Sequence, residues 1–498
     1  MEDYNRLKKI MNTVSDLGSA VAVLGWDQET YMPDGAVEAR SEQLATLSTL
    51  IHDFMTNDAA RAAVAAVPSY IGTLSDRDQR VVKTFVKDHT RTIRLPADLV
   101  EEQARVASLA QDAWKRARQA SDFSIFQPML ERTVDLKRRE AELLGPADHP
   151  YDNLIDTYEP SATVGSLTPV FDRLRAGTVD LLSKIGPLQD KVPDDVLYRT
   201  YDGNKQLDMA RQIIDILGFR FETGRIDLSA HPFCTTFAIS DVRLTTRIRE
   251  NDLRSCLFGL IHEAGHGMYE QGVSRELART PSAQGASMGI HESQSLFWEN
   301  VIARSEEFWQ WAFPRLRAAF PDQLADQTPE SFFKAINKMR PSLNRVESDE
   351  LTYNMHIILR FEIERDLIGG TIEVKDIPEL WRTKMQASLG VVPPNDAEGC
   401  LQDVHWSFGG IGYFPSYTLG KLYAAMEWNA LERQMPDART RIVNGDFAPI
   451  REWLRTHIHD NGRTETPDEI IRRVASRPLT EVDFLDYVGR KAARVYGF

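Results

Sequence analysis

Apolar residues in this chain recur at the spacing of one helix face, beginning with Leu7, Ile10, Met11, Val14 and Leu17 and continuing in similar stripes to about residue 217. Alternating, β-branched stretches are scarce. The clearest lies between Phe219 and Thr246, where Phe219-Arg220-Phe221 and Thr235 to Thr246 read as strands around turns at Thr223-Gly224 and Ser240-Asp241. Helical spacing then resumes. Leu253, Leu257, Leu260 and Ile261 form a stripe with Asn251 or Asp252 as cap and Gly272 as stop. Leu296, Phe297, Trp298, Val301, Ile302 and Phe308 predict a buried helix ending before Pro314, and Leu351, Met355, Ile358 and Leu359 a further one. The pattern predicts a mainly α, large helical body with a deep groove and a small antiparallel β-sheet lining it. An exposed edge of such a sheet can hold an extended peptide by main-chain hydrogen bonds.

At roughly 150 residues per domain the length suggests three domains. No Gly/Ser-rich or Pro-rich linker, repeat or low-complexity segment divides the chain, and the candidate site residues run from about 231 to 417. We therefore expect one unit, 1–498, with 1–200 as a helical wall or lid over the groove and 201–498 carrying the site. Lys and Arg number 59 against 73 Asp and Glu, which argues against nucleic acid, since phosphate binding needs a positive face. The start Met1-Glu2-Asp3 is acidic where a signal peptide is basic, and no apolar run approaches the ~18 residues of a membrane span. Cys234, Cys256 and Cys400 are odd in number and form no C-x-x-C pair. They read as reduced thiols of a cytoplasmic protein without membrane partners.

The stripe from Leu253 carries His262-Glu263-Ala264-Gly265-His266, an H-E-x-x-H run. Residues four apart stack on one helix face, so both imidazoles can share an ion, and Glu263 falls beside its open side. Glu292, near the start of the next helix, is the candidate third ligand, giving a two-His, one-Glu set with one position left for water. In such a set Glu263 takes the proton of a water activated by the ion. Glu299, seven residues on, suits either a carboxylate behind a ligating His or a salt bridge.

Other segments carry less by themselves. Arg345 precedes the Leu351 stripe; it suits a grip on a substrate's terminal carboxylate, or an ion pair with Glu347 or Asp349. His405, beside Trp406, is followed by a glycine- and aromatic-rich run with Tyr413 and Tyr417. His405 and one of these tyrosines are placed to donate to an oxyanion, the alternative being a satisfied structural histidine. His231-Pro232-Phe233 and Asp241 to Thr245 read alone as turn, strand and exposed ion pair.

Together these segments resemble the thermostable metallocarboxypeptidase family typified by Taq carboxypeptidase. Its hallmark set is H-P-F, D-x-R-x-T, H-E-x-x-H, H-E-S-Q, I-R-x-x-A-D and G-x-x-Q-D-x-H-W. These stand here as His231 to Phe233, Asp241 to Thr245, His262 to His266, His291 to Gln294, Asn344 to Asp349 and Gly399 to Trp406. Gly25 to Glu29 and Tyr151 to Asp156 also look like family segments. Asn344 and Ser348 depart from the pattern, which bears on subsite shape and leaves Arg345 and Asp349 in place. The resemblance implies a fold similar to neurolysin and angiotensin-converting enzyme, and a homodimer using one zinc per chain, or cobalt. It also implies removal of C-terminal residues from peptides with broad preference, generally sparing proline. On that footing His262, His266 and Glu292 hold the metal, Glu263 handles the proton, and His405 and Tyr417 serve the oxyanion. Arg345, with Tyr413 or Arg243, fixes the free carboxylate. A zinc oligoendopeptidase is the alternative, since the same ligand set serves internal cleavage. A metal-stabilised binding protein is a more distant one, against which the base Glu263 argues.

Overall fold

The computed structural model describes residues 2–498, and helices dominate throughout. The first helix, Glu2–Thr30, buries Tyr4, Leu7 and Met11, spaced three and four apart, and packs on the second, Val37–Thr56. With Val67, Tyr70, Val82 and Phe85 these residues form an apolar cluster of their own. It meets the rest of the molecule through Val273 and Leu277, just past the H-E-x-x-H helix. Ion pairs span the same seam: Arg77–Asp460 at 2.9 Å, Arg463–Asp88 at 2.7 Å and Arg279–Asp16 at 2.5 Å. Solvent-accessible pairs of this kind contribute ~1 kcal/mol or less each, so the seam is weaker than the core. Beyond Ala97 most helices join one main core, which includes Trp298, Trp309, Trp381 and Trp428, while Leu99, Val106 and Leu136 form a small cluster apart.

The sheet has three strands, β1 (Gly224–Leu228), β2 (Cys234–Ala238) and β3 (Asp241–Thr246), in the order β1-β3-β2. It is mixed, which corrects the antiparallel expectation. β2 and β3 form the expected hairpin, but β1 pairs with β3 in parallel, Gly224 opposite Val242. The chain crosses from one flank of β3 to the other through Ser229 to Phe233, so β1 and β2 never adjoin. Thr245 anchors that crossing: its hydroxyl accepts from Phe233 N at 3.0 Å and from Ser229 Oγ at 2.7 Å. Phe219-Arg220-Phe221 is a second correction. It is a connecting turn, held where Gln271 accepts from Arg220 N at 3.0 Å.

The helix after the sheet, Leu253–Gly272, runs between the expected cap and stop, with the Asp252 side chain accepting from Arg254 N. It is buried nearly all round. Gly265 explains how closely it packs: a Cβ there would stand 2.6 Å from the Gln294 carbonyl oxygen, so only glycine lets the next helix approach. That helix, Met288–Leu296, is capped by Ser287 and runs into a π-turn, Phe297–Ile302. The chain then restarts at Ser305 as Glu306–Ala319, with Pro314 inside it, contrary to the expected stop. Burial of Phe308, Trp309, Phe313 and Leu316, at ~1.5–3 kcal/mol per large side chain, outweighs the ~3 kcal/mol of an internal proline. Among the described residues no helix is long and apolar enough to cross a membrane.

Candidate metal centre and active site

His262 and His266 lie one turn apart on the Leu253–Gly272 helix, and the Met288–Leu296 helix carries Glu292 towards them. The approach depends on Gly265 and on Gly420 of the Pro415–Gln434 helix, where a Cβ would meet Glu292 Cγ at 2.6 Å. Glu292 Oε2 stands 3.8 Å from His262 Nε2 and 3.6 Å from His266 Nε2. Ligands at ~2.1 Å from a tetrahedral ion are about 3.4 Å apart, so this donor set fits a divalent metal. It is the one such cluster among the described residues. All three side chains keep 15–22% exposure, so the centre is open to solvent on one side.

Behind the imidazoles the supports differ. His262 Nδ1 meets Glu299 Oε2 at 3.0 Å, and Arg304 donates to the other Glu299 oxygen at 2.8 Å. His266 Nδ1 meets His291 Nδ1 at 2.5 Å, and His291 Nε2 meets Glu270 Oε1 at 2.7 Å. For His266 to present Nε2 as a lone pair it must carry its proton on Nδ1. His291 then accepts on Nδ1 and donates from Nε2 to the Glu270 carboxylate. In the sequence His291 stands only as the first letter of the H-E-S-Q motif, and Glu270 belongs to no motif. Nothing in the spacing signals that His291 turns back onto His266.

Electrostatics at this centre are short of positive charge. Burial opposes charging His262, yet Glu292, the Glu299 hydrogen bond and Glu263 lift its pKa to about 10. Burial pushes the Glu263 carboxyl up to about 7, with Glu292 adding to the rise and His262 opposing it. Burial, with His291 and His262 close by, holds His266 well below its ordinary value. Three carboxylates thus surround a site where a cation is favoured.

The second cluster has the opposite balance. Arg345 gives Nε and Nη2 to one oxygen of Asp403 at 2.9 and 2.8 Å, and Arg360 Nε takes the other at 2.7 Å. Arg345 Nη1 also reaches Tyr353 Oη at 2.6 Å, and its side chain is buried. Its ion-pair partner is therefore Asp403, with Glu347 and Asp349 uninvolved; Asp349 instead accepts from Leu351 and Thr352 N. Burial raises the Asp403 carboxyl's pKa, but the two guanidiniums hold it well below the usual range. His405 Nε2 faces Tyr417 Oη at 3.2 Å, and the Tyr413 and Tyr417 rings pack at 5.3 Å. Burial pulls His405 down to about 4, Arg345 and Arg360 adding to the effect. Arg243 lies on the sheet, paired with Asp241 at 3.0 Å and stacked over Trp26 at 4.3 Å and Phe237 at 4.6 Å.

A mainly helical body around a two-histidine, one-glutamate cluster with an adjacent buried glutamate defines the class of helical metallopeptidases. The chain belongs to the Carboxypeptidase Taq (M32) metallopeptidase family, whose model it matches over residues 6–492. It is 37% identical over 487 residues to carboxypeptidase 1 of Bacillus subtilis (strain 168), covering 98% of this chain and 97% of that one. Identity to thermostable carboxypeptidase 1 of Thermus thermophilus is also 37%, over 506 residues and 99% of each chain. The crystal structure of the M32 carboxypeptidase from Deinococcus radiodurans R1 superposes with a TM-score of 0.97 at 37% identity over the whole of both chains. Metallocarboxypeptidase 1 of Trypanosoma cruzi gives 0.94 at 33% identity, over 100% of this chain and 99% of that one. The activity that follows is that of a metal-dependent carboxypeptidase, a hydrolase of peptides working with a divalent ion.

Proposed function

We propose that the protein removes single residues from the free C-terminus of peptides, with broad side-chain preference, and that zinc, or cobalt in its place, is held by His262, His266 and Glu292. The carrying observation is the convergence of these three side chains, within 4.8 Å of one another, beside the buried Glu263. A divalent ion at that position supplies Lewis acidity, polarising a carbonyl and acidifying a water. Glu263 accepts the water's proton and returns it to the departing amine. His405 Nε2–H, turned to the Tyr417 oxygen, leaves the phenol proton free to donate to the oxyanion. Arg345 assists with the substrate carboxylate through what its Asp403 pairing leaves free, with Tyr413 lining the same wall. Arg243, tied to Asp241 and Trp26, has less scope for that task.

Residues 1–200 act as a wall or lid over the groove in this reading, which for the helices before Ala97 is supported by their separate apolar cluster and ion-paired seam. A homodimer is supported by Val37, Leu50 and Phe54, large apolar side chains exposed along the Val37–Thr56 helix. Three free cysteines fit a reducing cytoplasm. The test is a defined peptide incubated with zinc-loaded protein and followed by mass spectrometry. A ladder losing one C-terminal residue at a time is expected; internal fragments would instead support an oligoendopeptidase.

A further inference from the structure

Lys421 follows Gly420, the residue that seats Glu292, and lies one helical turn beyond Tyr417. It is 7% exposed, its ammonium makes no hydrogen bond or ion pair among the described residues, and that ammonium is not among the unpartnered polar atoms sealed from solvent. Its Nζ stands 4.8 Å from the centre of the Tyr353 ring. That ring packs edge-on to Tyr417 at 6.1 Å, and its hydroxyl accepts from Arg345. Lys421 therefore belongs to the wall that joins Glu292 to the Arg345 cluster.

The neighbouring charges do not neutralise it. Glu350, Glu299 and Glu292 are the carboxylates that face the ammonium, and Arg304 and Lys491 are the nearby cations. Glu350 is paired with Lys491 at 2.6 Å. Glu299 is shared between Arg304 and His262. Glu292 is directed at the two metal-site histidines. Asp403, across Tyr353, is taken by Arg345 and Arg360. Each acid already has a closer partner, and Lys421 has none in direct contact. Burial lowers the Lys421 pKa against the pull of Glu350, Glu299 and Glu292, and an arriving anion relieves that cost of holding the ammonium.

We propose that Lys421 receives a carboxylate of the peptide's C-terminal residue and is a specificity-determining residue of the cleft. The inference rests on the C-terminal cleavage proposed above. It also divides the work at this wall: Arg345 keeps only the N–H groups that Asp403 and Tyr353 leave, and Lys421 adds an unpaired ammonium one turn from Tyr417. A lysine is suited to the task, because a single flexible ammonium accepts a carboxylate without needing the planar fork of arginine. The carboxylate has two possible sources, the terminal α-carboxylate or an acidic last side chain.

The experiment compares zinc-loaded parent, Lys421→Met and Lys421→Arg proteins on N-blocked dipeptides ending in Leu, Gln or Glu, with the C-terminal amide of the Leu compound as a competing inhibitor. For an α-carboxylate, Lys421→Met should raise KM for all three acids about ten- to a hundredfold, the weight of one charged hydrogen bond. Its kcat should stay within about threefold, its Ki for the amide should not move, and Lys421→Arg should recover most of the loss. If only the Glu-ending peptide loses affinity, the side-chain carboxylate is the ligand, which also sustains the proposal. Unchanged KM for every acid overturns it. So does a lowered Tm for Lys421→Met, because losing an unpartnered buried charge should leave the fold as stable or more so. Cleavage products of the parent protein test the C-terminal reading separately: internal fragments there would fail that reading whatever Lys421→Met does.

Discussion

The clusters around His262 and Arg345 are built from similar residue types and carry opposite balances. At His262, Glu263, Glu292 and Glu299 surround the imidazoles, and a histidine that burial alone would discharge rises to about 10. At Arg345, two guanidiniums share Asp403, and the neighbouring His405 falls to about 4. The first cluster favours a cation; the second, with Lys421 beside it, favours an anion. A metallocarboxypeptidase uses both, a metal for the scissile carbonyl and positive or hydrogen-donating groups where negative charge develops or ends.

The comparison breaks most visibly at Glu263. Glu263→Gln should reduce kcat about 10²–10⁴-fold with one metal still bound per chain, whereas His262→Ala should lose metal and turnover together. Metal content by mass spectrometry alongside steady-state kinetics separates the two. At the positive cluster, Asp403→Asn leaves Arg345 and Arg360 buried without a full counter-charge. A stability loss of ~3–5 kcal/mol in denaturant unfolding is expected, with an unchanged metal content in whatever remains folded. A smaller effect sharpens the first cluster internally. His291→Ala removes the group that fixes the His266 tautomer, and zinc affinity in chelator competition should fall about 10–100-fold. Glu299 and His262 should be unaffected.

One more effect is read through pH and lies behind both clusters, at Glu427, which burial pushes up to about 8 against its contacts with Ser293 and Gln294. Ser293 Oγ donates to Glu427 at 2.9 Å and Gln294 Nε2 donates at 3.0 Å; both contacts favour the charged carboxylate, and burial outweighs them. The folded pKa is raised, so in the unfolded chain the group deprotonates first. Its stabilising contribution is full below about pH 4.5 and is lost as pH rises through about 8. Unfolding at pH 5, 6.5 and 8 should show a decline of up to ~1.4 kcal/mol per pH unit that Glu427→Gln removes.

What the sequence conveyed was local. The Leu253–Gly272 helix is legible because Asp252 caps it, Gly272 ends it and the H-E-x-x-H spacing presents two histidines on one face. Glu299 behind His262 was within reach of helical spacing, although a π-turn intervenes. The unread features depend on distant chain segments. Parallel pairing of β1 with β3 needs the Ser229 to Phe233 crossing, which no alternation pattern encodes. Asp403 meets Arg345 across 58 positions, while Asp349, near in sequence, accepts from backbone N–H groups. Pro314 marked a helix end by propensity, and aromatic burial overrode it. Lys421 belongs to no motif in the sequence. Its lack of a counter-ion is visible only once every neighbouring acid is paired.

Anomalous diffraction at the zinc edge from crystals of the zinc-loaded protein tests the central claim most directly. One strong peak per chain is expected, ~2.0–2.2 Å from His262 Nε2, His266 Nε2 and a Glu292 oxygen, with Glu263 near it but not coordinating. A peak elsewhere, or one at this position coordinated by Glu263 while Glu292 turns away, would contradict the account.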